Sequence, residues 1–80
     1  MAENLEYFRH QMLKNYQEYL LLADFTDNDT LLLIVKPFLE LDEVMAAICD
    51  DIMDNINFRQ HLDIHLCSFG RNDRIEIAIN

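Results

Sequence analysis

Apolar residues recur along the first part of the chain at intervals of three and four: Leu5, Phe8, Met12, Tyr16, Tyr19 and Ala23. That spacing lines one side of an α-helix and predicts a helix from Asn4 to about Ala23. Asn4 suits an N-cap, because its side chain accepts from an unpaired first-turn N–H. Glu6 suits the positive end of the helix dipole. The polar run Thr26, Asp27, Asn28, Asp29 follows, and Asp and Asn favour turns by bonding their own backbone. Thr30 to Lys36 is short, apolar and stopped by Pro37, which predicts a strand. Leu31, Leu33 and Val35 share one of its faces; Leu32, Ile34 and Lys36 share the other. Both faces are largely apolar, so the strand is covered on both sides or its second face meets a partner.

A second helical period runs from about Leu39 to Phe58, with Leu41, Val44, Met45, Ile48, Ile52 and Ile56 as its stripe. Asn55 and Asn57 weaken helix propensity near its end. The pattern then changes to strict alternation. From His61 to Ser68, Leu62, Ile64 and Leu66 point one way and His61, Asp63, His65 and Cys67 the other. Arg74 to Asn80 repeats this with Ile75, Ile77 and Ile79 inward, and Gly70, Asn72 and Asp73 between the two runs are turn formers. The pair predicts a β-hairpin with a longer loop. The expected order is α-β-α-β-β: an α+β fold in one compact domain, residues 1–80, with a three-stranded sheet, a C-terminal β-hairpin and two helices packed on one face.

Net charge is −9, and its distribution adds more than its size. Asp24, Asp27, Asp29, Glu40, Asp42, Glu43, Asp50, Asp51 and Asp54 face a single base, Lys36, between positions 24 and 54, giving −8 there and −1 in the remainder. On the second helix Glu43, Asp50 and Asp54 fall within about 40° of one another at 100° per residue, nearly opposite the apolar stripe. Glu40 and Asp51 flank them. Such a ridge disfavours direct binding to a phosphate backbone and suits a basic protein partner. Asp24, Asp27 and Asp29 form a second acidic group in the turn region.

The remaining chemistry is sparse. His61, Asp63, His65 and Cys67 are metal-ligand types on one strand face, but His61 and His65 stand roughly 13 Å apart in an extended strand and cannot share an ion. An open polar face explains them better, and no metal or cofactor is expected. Cys49 lies between Ile48 and Ile52 and reads as core or flank. Cys67 has His65 nearby but no orienting third group, so it is not a nucleophile–base pair. Asp50 and Asp51 point about 100° apart on a helix and form no dyad. There is no Gly-rich phosphate loop and no G-x-S-x-G. Arg9, Lys14, Arg59, Arg71 and Arg74 are scattered rather than striped, so no direct nucleic-acid contact is expected. No catalytic residue, and no enzyme, is expected. Two cysteines make no disulfide framework, no basic segment precedes an apolar run at the N-terminus, and the longest apolar run is far short of a membrane span. A soluble cytoplasmic protein is expected.

A short, acidic chain without catalytic motifs has the profile of an inhibitor encoded by a phage or mobile element. Anti-CRISPR and anti-restriction proteins are examples, and the acidic ridge would act as a nucleic-acid mimic against a basic, nucleic-acid-handling complex. Two further readings share the same facts: an immunity protein that neutralises a cationic toxin, and a homodimeric structural module using Leu32 and Ile34 as its face. Small cores gain from association.

Overall fold

In the computed structural model, which describes residues 2–27, 29–54 and 61–79, two helices and a four-stranded mixed sheet form an α+β arrangement. Helix α1 is Ala2–Asn15, strand β1 Leu20–Asp27, β2 Thr30–Val35, α2 Leu41–Asp54, β3 Leu62–Ser68 and β4 Arg74–Ile79. The strands lie in the order β1-β2-β3-β4; the outer pairs are antiparallel and the central β2–β3 pair is parallel. Each helix thus precedes a hairpin, and the order is α-β-β-α-β-β. The expected three-stranded sheet gains a fourth strand at its N-terminal edge.

That strand was hidden inside the expected first helix, which is too long as read from the spacing. The helix runs out at Asn15, after Tyr16 N–H donates to the Met12 carbonyl at 3.1 Å. Tyr19 and Leu20 N–H then both donate to the Tyr16 carbonyl at 2.9 Å, closing a turn into β1. The register of β1 against β2 shifts between Leu20 and Leu22. An extra residue there lets Leu20 and Ala23 both reach the core, three positions apart, and a spacing of three imitates a helix. Asn4 lies inside α1, which begins at Ala2, so it does not precede the first turn. Thr26 and Asp27 belong to β1, so the strand continues into the run expected as a turn, and β2 starts at Thr30, which pairs with Asp27.

The other expected elements are present with trimmed ends. Helix α2 begins at Leu41, and the expected continuation through positions 55–58 lies outside the described residues. Lys36 follows β2, but its N–H still donates to the Tyr19 carbonyl at 2.9 Å. Ordinary strand alternation explains β3: Leu62, Ile64 and Leu66 are fully buried and their neighbours are half-buried. The parallel register sets Leu31 beside Ile64 and Leu33 beside Leu66. Phe8 and Met12 of α1, and Leu41, Val44, Ile48 and Ile52 of α2, join the inward residues of the strands in one cluster. Each large side chain buried there contributes roughly 1.5–3 kcal/mol. The opposite sheet face keeps Leu32, Ile34, Asp63, His65 and Cys67 half-exposed.

Two turns close the same end of the sheet. Phe38, after Pro37, has φ 75° and is 97% exposed. A bulky side chain in the left-handed region costs about 1–2 kcal/mol, so the ring is displayed against the backbone's preference. Gly70 has φ 81°, and an added Cβ would meet nothing within 4 Å, so it is required for its backbone angle rather than for space. Arg71 next to it donates to the Leu39 carbonyl at 3.2 Å and to Ser68 Oγ at 3.3 Å, tying the β3–β4 loop to the start of α2.

Candidate acidic interface

Helix α2 carries Asp42, Glu43, Asp50, Asp51 and Asp54 and no base. Its apolar stripe, Leu41, Val44, Ile48 and Ile52, is buried in the common core, which turns Asp42, Glu43 and Asp50 outward. Asp42, Glu43 and Asp50 are exposed. Glu43 and Asp50, seven residues apart, are separated by about 10 Å along the helix axis. The side chain of Asp54 lies outside the described residues.

The flanking carboxylates are held differently. Glu40 is exposed just before α2, with its Oε2 3.9 Å from Arg71 Nη1. Asp51 is half-buried and turned toward α1, where it accepts a hydrogen bond from the Tyr16 hydroxyl. That bond, aided by burial and by the charges of Asp51 and Asp50, pushes the Tyr16 phenol up to about 12. The Tyr16 and Tyr19 rings lie tilted, with centroids 6.3 Å apart. The expected ridge therefore splits. Glu43 and Asp50 face water, whereas Glu40 and Asp51 each reach a neighbouring element.

The second acidic group lies on the β1–β2 hairpin. Asp24, Asp27 and Asp29 are all exposed. Asp27 Oδ1 accepts from Asp29 N–H at 3.1 Å, and backbone and side-chain donors at Asp29 and Thr30 hold its carboxyl below the usual range. The Asp29 carbonyl accepts from Asp63 N–H at 2.7 Å, linking this turn to the start of β3. Asp24 Oδ1 accepts from Phe25 N–H at 2.9 Å. These carboxylates serve the turn's own hydrogen bonding as well as the surface charge.

On the outer sheet face, Leu32 pairs in register with His65 and Ile34 with Cys67; across β1, Leu22 pairs with Ile34. Leu21 and Leu22 are 47% and 41% exposed on β1, although the apolar spacing predicts a helix through both. His61 Nε2 lies 2.8 Å from Asp63 Oδ1, and Arg74 Nη1 donates to Glu76 Oε2 at 3.0 Å. Among the described residues, no three His, Cys, Asp or Glu side chains come together as a metal site. Both cysteines are free thiols, and Cys49 is exposed on α2 rather than packed in the core or its flank, because the stripe passes through Ile48 instead.

One feature was not foreseen from the sequence. Between α1 and α2 lies a cleft of about 170 Å³ lined by Tyr7, Phe8, Gln11, Met12, Asn15 and Asp51. Its only sequence signal was the four-residue spacing of Tyr7, Gln11 and Asn15 on one flank of α1. A second cleft of about 240 Å³ lies between Glu40, Leu41 and Asp42 and the start of β4. Among the described residues, no helix is long and apolar enough to cross a membrane. Comparison with protein-family models, with curated proteins and with solved structures finds no match, so the reading of this surface rests on its own geometry.

Proposed function

We propose that this chain is a small non-catalytic binding protein that docks the acidic side of α2 on a basic protein surface. The partner is a host complex that handles nucleic acid, and the protein inhibits it by occupying the groove that holds phosphates. A phage or mobile-element origin and a cytoplasmic site of action, where free thiols persist, belong to the same reading. One observation carries it: α2 displays Asp42, Glu43 and Asp50 to solvent with no base on the helix. Carboxylates set about two helical turns apart on one exposed side present the negative sign of a phosphate backbone. An immunity protein against a cationic toxin would use the same physics with a different partner.

Charge reversal tests it. The full chain and the Glu43→Lys/Asp50→Lys variant are used as baits in host extract, and bound protein is eluted with a salt gradient. A partner held at low salt, released as salt rises, and lost by the variant is the expected result. A partner retained equally by both, with no salt dependence, removes the acidic surface from the mechanism. A second reading, a homodimer through the outer sheet face, is favoured by the row of Leu22, Ile34 and Leu32; light scattering of the wild-type chain decides it, since a monomer at high concentration excludes it.

A further inference from the structure

The α1–α2 cleft has features that the exposed ridge lacks. Phe8 and Met12 form an apolar floor and are almost completely buried. Tyr7, Gln11 and Asn15 stack along the α1 side at four-residue intervals, and Asp51 faces them from α2. At about 170 Å³ the cleft falls below the roughly 300 Å³ at which small-molecule sites begin, so it suits a single side chain. Tyr7 is 67% exposed, which leaves its ring open to a flat cation. Gln11 and Asn15 carry amide oxygens, which accept. Asp51 already accepts from Tyr16, but a carboxylate has about four acceptor positions.

A group that matches all of this is planar, positively charged, rich in donors and carried on an apolar stem. Guanidinium meets each condition, whereas an ammonium offers no plane to stack. Arg9, the guanidinium nearest in sequence, is committed elsewhere: its Nε donates to Glu6 Oε1 at 2.6 Å and its Nη1 to the Ala23 carbonyl at 2.9 Å. We propose that the cleft between α1 and α2 receives one arginine side chain from the basic partner, stacked on Tyr7 and hydrogen-bonded to Asp51. This rests on the acidic-interface reading and sharpens it. The exposed ridge attracts the partner, and the cleft anchors it.

The test titrates the labelled full chain at low salt with a blocked arginine tetrapeptide and a blocked lysine tetrapeptide, following backbone and side-chain amide resonances. The arginine peptide is expected to shift the Gln11 and Asn15 side-chain amides and to bind more tightly than the lysine peptide. Tyr7→Ser should weaken it about five-fold, and Asp51→Asn about ten-fold. Asparagine keeps an acceptor oxygen for Tyr16; should that variant still fail to fold, Tyr7→Ser alone decides, because its ring is largely outside the core. Shifts confined to Glu43 and Asp50 with Tyr7→Ser unaffected, or equal affinity for the two peptides, overturn the cleft and leave the acidic ridge standing. Absence of binding by either peptide at low salt overturns both.

Discussion

The two hairpins solve the same problem in opposite ways. The β1–β2 hairpin pairs Asp27 with Thr30 next to its turn and has an irregular ladder, which shifts register between Leu20 and Leu22 and again between Phe25 and Asp27. The β3–β4 hairpin spends five residues, 69–73, on its turn and keeps an unbroken ladder from Leu62–Ile79 to Cys67–Arg74. Carboxylates organise the first turn, through Asp27 and Asp29. A guanidinium organises the second, through Arg71. Irregularity in β1 also has a surface consequence: it turns two successive leucines outward, whereas the regular ladder of β3 presents His65 and Cys67 singly. Each hairpin has a tie beside it to α2 or its approach: Tyr16, in the turn that leads into β1, bonds Asp51, and Arg71 in the β3–β4 loop bonds the Leu39 carbonyl just before α2. Their common seam is the parallel β2–β3 pair.

The seam gives the largest expected effect. Leu66 is fully buried beside Leu33, so Leu66→Ala should cost about 2–5 kcal/mol in urea unfolding. A loss below about 1 kcal/mol would mean that the hairpins pack through the helices rather than through each other. Arg71→Ala comes next, at about 1 kcal/mol, since its bonds are partly exposed. Amide exchange should then rise in the β3–β4 loop and leave the β1–β2 turn unchanged; equal loosening of both turns would contradict their separate anchoring. The smallest effect separates the two fastenings by pH. Tyr16 has its phenol raised from 10.0 to about 12, so its contribution is complete below about pH 10 and lost as pH rises through about 12. Wild-type stability should fall in that window by more than that of Tyr16→Phe. Parallel curves for the two proteins would show that the Asp51 bond adds nothing to folding.

The C-terminal hairpin was legible because its alternation is strict and its loop contains Gly70, Asn72 and Asp73. The N-terminal hairpin was not, because Tyr16, Tyr19 and Ala23 extend the spacing of α1 across a turn that contains neither glycine nor proline. A strand with an extra residue loses the period of two by which strands are recognised. Within the acidic surface, the outward positions of Glu43 and Asp50 followed from 100° per residue alone. The inward lean of Asp51 did not, since it depends on how α1 lies against α2. The α1–α2 cleft was hidden for the same reason: it belongs to neither helix singly.

The parallel seam has a kinetic consequence. Hairpin contacts join neighbours in sequence, but Thr30 pairs with Asp63, 33 residues later, with α2 between them. Loops of that length close at an entropic cost before any contact rewards them. The expected slow event of folding is therefore the registering of β2 against β3. In stopped-flow measurements Leu66→Ala should slow folding, whereas Arg71→Ala should mainly hasten unfolding.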